Sequence, residues 1–212
     1  MRAIRKLGIL GGTFDPVHCG HVHFALAFRD ALAAANDDSS LKLIPCHIPP
    51  HRDAPQVSAR DRCEMLRLAF AGTPGVEIDT REIDADAISY TVDTLSSLRA
   101  DYPDALLILA IGADAFAGFT RWHRWEDVLN LASVVVCTRP GSEIDEQNEL
   151  LRDRQVTLEQ LETSGQIAVL DINPLDISST LIRNGVRDRV DLSTLLPTSV
   201  TQYIERHGLY LS

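Results

Sequence analysis

Short apolar runs and longer stretches of helical spacing follow one another along the chain, and the alternation predicts its elements. Leu7-Gly-Ile-Leu-Gly11 is a strand-like run ending in glycine, and past Pro16 a pattern rich in Ala, Leu and Phe predicts a helix over 18–35. Leu41-Lys-Leu-Ile-Pro45 reads as a second strand. Pro49, Pro50 and Pro55 bar regular structure from the loop that follows, whose polar, stiff composition suggests a binding edge. Ser58-Ala-Arg-Asp61 resembles a capping box, with Asp in the usual Glu/Gln place, and opens a helix with Cys63, Leu66 and Phe70 on one face. The alternation of Val76-Glu-Ile-Asp-Thr80 predicts another strand, and a helix is expected over 90–98.

Ala105-Leu-Leu-Ile-Leu-Ala-Ile-Gly112 is apolar throughout, as strands covered on both faces are, and marks the expected centre of the sheet. Helical segments are expected at 113–119 and 125–131, and strands at Ser133-Val-Val-Val-Cys137 and Ile167-Ala-Val-Leu170. Between those strands, 142–165 is charged and leucine-spaced (Leu150, Leu151, Leu158, Leu161), predicting one or two amphipathic helices. Helices over 178–184 and 199–207 close the chain, with Gly208 placed to end the last. Repeated strand and helix imply an α/β domain with a mostly parallel sheet and a ligand site at the carboxyl ends of its central strands.

Composition narrows the classes of partner. The 212 residues carry 30 acidic against 20 basic side chains, a formal net charge of −10, which argues against broad attachment to nucleic acid or an anionic membrane. No apolar run approaches a membrane span. Cys19, Cys46, Cys63 and Cys137 form no CxxC pair and no secretory signal is visible, so a reducing cytoplasm is expected. An anionic ligand must then meet a local positive site.

Gly11-Gly-Thr-Phe-Asp-Pro-Val-His-Cys-Gly-His21 supplies such a site, where the first strand hands over to the first helix. Glycines allow close backbone approach, and the helix N-terminus adds free N–H groups and the positive end of the macrodipole. His18 and His21 project from nearly the same face and can donate to phosphate oxygens as charge builds there. The stretch fits neither GxGxxG nor GxxxxGK[ST]. Zinc on His18, Cys19, His21 and His23 is a weaker alternative, because adjacent residues diverge around a helix and HExxH spacing is absent. Purely structural histidines are another.

Gly12-Thr-Phe-Asp-Pro-Val-His-Cys-Gly-His21 resembles the GTFDPxHxGH signature of the nucleotidyltransferase α/β-phosphodiesterase superfamily, and Ile177-Ser-Ser-Thr-Leu-Ile-Arg183 resembles its ISSTxIR signature. Ile48-Pro-Pro-His-Arg52, Ser89-Tyr-Thr-Val-Asp-Thr-Leu95, Ile111-Gly-Ala-Asp114, Trp122-His-Arg-Trp125, Arg139-Pro-Gly141 and the Gly208-Leu-Tyr210 ending are similar to the bacterial nicotinate-nucleotide adenylyltransferases. The likeness implies one nucleotidyltransferase domain over 1–212, with 142–165 a variable helical insertion and 178–212 the C-terminal helices. It implies a Rossmann-like, mostly parallel sheet with helices on both faces and a small C-terminal helical part.

The implied reaction is transfer of the adenylyl group of ATP to nicotinate mononucleotide, forming deamido-NAD and pyrophosphate in NAD biosynthesis. The mononucleotide's phosphate is itself the nucleophile, and Mg²⁺ is expected on the ATP phosphates, with no protein metal site. By resemblance, His18, His21 and Arg183 are catalytic, and Gly11, Gly12, Thr13, Phe14, His18, His21, Asp114, Ser178, Thr180 and Arg183 bind ATP. Arg52, Tyr90, Thr91 and Trp122 bind the mononucleotide. Ser178 could equally be a plain helix cap, Asp114 could cap the next helix, Arg52 could be a solvated surface charge, and Trp125 is as readily core. Cys46-His47 stands where an amide or small polar residue is expected. Nucleic acid and membrane are not expected as partners, and a homo-oligomer is left open. An adenylyltransferase acting on nicotinamide mononucleotide or phosphopantetheine is the alternative within enzymes; a catalytically inactive nucleotide sensor is the alternative outside them.

Overall fold

The computed structural model describes residues 5–36, 38–49, 54–138, 148–173 and 175–211. The signature run is bracketed by β1 (Lys6–Gly12) and α1 (Cys19–Ala35). Next come β2 (Ser39–Pro45), α2 (Ala59–Ala69), β3 (Val76–Ile78), α3 (Arg81–Asp84), α4 (Thr91–Asp101) and β4 (Leu106–Gly112). The remainder is α5 (Ala113–Ala117), a 3-10 turn (Phe119–Arg121), α6 (Trp125–Leu131), β5 (Ser133–Thr138), α7 (Glu149–Arg154), β6 (Ile167–Asp171), α8 (Ser179–Arg187) and α9 (Thr198–His207).

The six strands form one sheet in the order β3-β2-β1-β4-β5-β6. This is the doubly wound order, which reverses direction between β1 and β4. β1 runs parallel to β4, with Leu7 opposite Leu107 and Ile9 opposite Leu109, and β4–β5 and β5–β6 are parallel too. The expectation of an α/β fold with a parallel sheet therefore holds. Leu106 through Ile111 are all buried, as a central strand requires, and each buried Leu or Ile contributes about 1.5–3 kcal/mol. Gly8 is needed on β1 because a Cβ there would lie 2.6 Å from a Leu32 methyl of α1.

The chain divides into two compact units. One comprises 1–10, 27–42 and 90–173, and the other 11–26, 43–89 and 174–212. In the second, α2 and α9 pack together: Tyr203 donates to Asp61 Oδ1 at 3.0 Å and Ser199 donates to the Leu68 carbonyl at 3.1 Å.

Several elements differ from the expected ones. The strand expected over 76–80 stops at Ile78, and the four-residue α3 begins three residues later. Of the amphipathic helices expected within 142–165, only the six-residue α7 occurs among the described residues; 142–147 and the Arg139-Pro-Gly141 run lie outside them. Leu158 and Leu161 are buried without being helical, so their spacing reports burial rather than helix. Ser58 caps α2 as expected, accepting from the Asp61 amide at 3.1 Å, and Gly208 ends α9 at φ +61°.

Candidate active site

His18 is the N-cap of α1, and its ring bends back over the first turn. Its Nδ1 accepts from the backbone N–H of His21 at 3.3 Å, while His21 Nδ1 accepts from the backbone N–H of His18 at 3.3 Å. This is a capping box built from two imidazoles. Because each ring accepts at Nδ1, a neutral ring there carries its proton on Nε2. The rings stack at 3.8 Å, and Phe14 meets His21 edge-on at 5.1 Å. Gly20 follows from the same geometry, since a Cβ would lie 3.0 Å from His18 Nδ1.

His18 is 5% exposed, and burial lowers its pKa to about 4. It is a neutral hydrogen-bond donor at pH 7 rather than a cation. Gly12 is required by its neighbour: a Cβ would stand 2.9 Å from the Phe14 ring, which sits on a backbone of positive φ, +50°. The Asp15–Pro16 peptide is cis. At Gly11 a Cβ would approach nothing closer than 3.9 Å, so that position is sterically open.

Three other segments of the same unit are bonded to this loop. Arg62 of α2 is 1% exposed, and it donates to the Thr13 carbonyl at 2.6 Å and to the carbonyls of Cys46 and His47 at 2.7 and 3.1 Å. Among the described residues no carboxylate pairs with it, so backbone dipoles carry its charge. Cys46 is buried, its thiol 3.6 Å from the Thr13 hydroxyl and its pKa pushed up by burial. His47 Nε2 lies 3.2 Å from Asp86.

Ser178 is the N-cap of α8, its hydroxyl accepting from the Leu181 amide at 3.1 Å. Its O–H stays available to donate, so capping and ligand binding are compatible. Arg183 donates to the Asp15 carbonyl at 2.7 Å and to the Thr180 hydroxyl at 3.1 Å, and Ser179 donates to the Pro16 carbonyl at 3.0 Å. Thus Thr13, Phe14, His18, His21, Thr180 and Arg183 belong to one bonded cluster, with Ser178 heading the adjoining helix.

The other unit holds Tyr90, Thr91, Asp114 and Trp122. Tyr90 is the N-cap of α4 and makes no side-chain cap bond. The amides of Thr91 and Val92 have no partner among the described residues, which leaves donors at a helix start. His123 lies against Tyr90 at 4.5 Å with the rings tilted by 41°. Trp122 is half-buried beside Phe119 at 5.2 Å; Trp125 is half-buried too, edge-on to Phe119 at 6.3 Å. Gly112, not Asp114, is the N-cap of α5, so the exposed Asp114 carboxylate is not spent on capping. Arg52 lies outside the described residues.

Sequence reasoning passed over Arg62 and Asp15 and noted Tyr210 only as part of an ending. Arg62 left one weak signal, an arginine beside Cys63 on the apolar side of α2. No cluster of three or more His, Cys, Asp or Glu able to hold a metal occurs among the described residues, so His18, Cys19, His21 and His23 do not form such a group. Among those residues no helix is long and apolar enough to cross a membrane.

A doubly wound sheet with an anion-suited helix start after β1 defines a nucleotide-handling α/β protein. Residues 9–185 match the cytidylyltransferase-like family. The chain is 41% identical to a protein of Hydrogenovibrio crunogenus, over 99% of this chain and all of that one, and 43% identical to one of Aeromonas hydrophila, over 96% of each. Both are named probable nicotinate-nucleotide adenylyltransferase. Its fold is similar to that of Plasmodium falciparum nicotinic acid mononucleotide adenylyltransferase complexed with NaAD, with TM-score 0.75, 16% identity and 97% of each chain covered. The chain belongs to the cytidylyltransferase-like family and, within it, to the nicotinate-nucleotide adenylyltransferases.

Proposed function

We propose that this protein transfers the adenylyl group of ATP to nicotinate mononucleotide, releasing pyrophosphate and forming deamido-NAD, a step of NAD biosynthesis. A phosphate oxygen of the mononucleotide attacks the α-phosphorus of ATP. One P–O bond forms to it, the bond to the bridging oxygen breaks, and pyrophosphate leaves with that electron pair. The nucleophile is already an anion, so the protein's tasks are placement and stabilisation of charge.

The reading rests above all on the doubly capped histidine pair, whose rings are held from behind through Nδ1. In it, His18 and His21 stabilise charge on the α-phosphate in the transition state. Gly11, Gly12, Thr13 and Phe14 line the approach of the triphosphate, and Ser178, Thr180 and Arg183 take the phosphates that depart. Asp114 accepts from ribose hydroxyls. Trp122 stacks on the pyridine ring, Tyr90 and Thr91 at the start of α4 receive its carboxylate through backbone amides, and Arg52 pairs with the mononucleotide phosphate. Mg²⁺ would ride on the ATP phosphate oxygens and water and would offset phosphate charge. The expected setting is the cytoplasm.

Free N–H donors suit a carboxylate and meet an amide's own N–H groups badly. Pyrophosphate release should therefore be faster with nicotinate than with nicotinamide mononucleotide, by roughly tenfold or more in kcat/KM. Preference for the amide or for phosphopantetheine would overturn the substrate assignment. ATP binding with no pyrophosphate released for any of them would indicate a sensor instead.

A further inference from the structure

Tyr210 and Asp15 lie 195 residues apart in sequence, yet the Tyr210 hydroxyl donates to Asp15 Oδ1 at 2.8 Å. Both residues are 5% exposed, and Tyr210 holds a positive φ of +61°. The second carboxylate oxygen of Asp15 accepts from the backbone N–H of Gln56 at 2.8 Å. Arg183 bonds the Asp15 backbone carbonyl at 2.7 Å instead of the carboxylate, with which it makes no ion pair. The carboxylate is not remote from that cation, because it belongs to the same residue whose carbonyl holds the guanidinium; burial and the Asp15 charge push the Tyr210 pKa up, and the fields of Arg183 and Arg62 oppose them.

A buried carboxylate near an anion-binding arginine is a competitor for it. Left with an open lone pair, it gains most by turning to the guanidinium and cancelling the charge meant for phosphate. We infer that Tyr210 is a positioning residue, whose hydroxyl holds the Asp15 carboxylate off Arg183 and so keeps that guanidinium free for the leaving pyrophosphate group. This rests on the phosphate role proposed above for Arg183. The residue that guards the site comes from the far end of the chain and touches no substrate.

Tyr210→Phe in the full chain removes the hydroxyl and keeps the ring's packing. Titration with pyrophosphate alone by calorimetry should show affinity several-fold weaker than in the parent. In the complete assay kcat should fall roughly tenfold, the scale of a modest misplacement, while KM for the mononucleotide stays unchanged. The added change Asp15→Asn, made in the Tyr210→Phe background, should restore pyrophosphate affinity, because an amide cannot neutralise Arg183. A purely structural hydroxyl would instead lower the melting temperature and leave both readouts of the folded enzyme at parental values. Parental pyrophosphate affinity in Tyr210→Phe overturns the inference, as does a double variant no tighter than the single one. If Tyr210→Phe fails to fold, Asp15→Asn alone decides: affinity at or above the parent's supports the inference and weaker affinity overturns it. The pyrophosphate titration needs no mononucleotide, so an error in the assigned substrate would show in the turnover assay without moving this result.

Discussion

The signature loop and the aromatic segment around Trp122 are built on opposite plans. Around Thr13–His21, side chains from α2 and α8 bond to backbone carbonyls, Tyr210 bonds the Asp15 carboxylate, and the two histidines bond each other's amides. Around Trp122, rings that range from buried Phe119 to exposed His123 rest on one another, and the Thr91 and Val92 amides have no partner among the described residues. Bonded frames suit groups that must hold a transition state to within fractions of an ångström, whereas stacked rings suit a planar ligand that binds before and after reaction. The first region should therefore govern kcat, and the second the KM of the mononucleotide.

Substitutions can break that division. The largest effect is expected from His18→Ala, which removes a donor together with half of the reciprocal cap; kcat should drop by about 10²–10³ in steady-state assays. A loss confined to KM would place His18 in ground-state binding.

Stability against pH probes the same region without substrate. Above pH 6.5 His18 is neutral in both folded and unfolded chains, and its burial adds no pH dependence. Between 6.5 and about 4 the unfolded chain takes up a proton that the folded one refuses, so stability declines as pH falls. By pH 4 this group accounts for about 3 kcal/mol of lost stability, which denaturant melts of the parent and His18→Asn would separate. Identical pH slopes in the two would show that His18 is not the group concerned.

Trp122→Ala tests the other side of the comparison. It should raise KM for the mononucleotide by roughly two- to tenfold with kcat nearly constant, and a pure kcat loss would contradict stacking. Smaller still is Ser178→Ala, which removes the α8 cap. About 1 kcal/mol of stability and a modest part of ATP affinity should go with it, measured by thermal melts and ATP titration.

The two regions also differ in how far sequence reveals them. His18, His21, Ser178 and Thr180 were legible as candidates because each falls at or near the start of a helix, where free N–H groups and neighbouring side-chain donors suit an anion. The α/β class followed from the repeated alternation of strand-like and helical patterns, with the continuous apolar run of 105–112 at its centre. Arg62, Asp15 and Tyr210 were not singled out, because their bonds span 49 residues from Arg62 to Thr13 and 195 from Tyr210 to Asp15, and no local pattern encodes such distances. Leu158 and Leu161 misled for a related reason: burial demands apolar residues whether or not the backbone is helical.

His21→Ala, assayed with ATP, Mg²⁺ and nicotinate mononucleotide, tests the central division most directly. If the signature loop acts on transition-state charge, kcat falls by about a hundredfold or more while ATP affinity and the KM of the mononucleotide stay near parental values. Parental kcat, or a loss expressed only as weaker substrate binding, would contradict it.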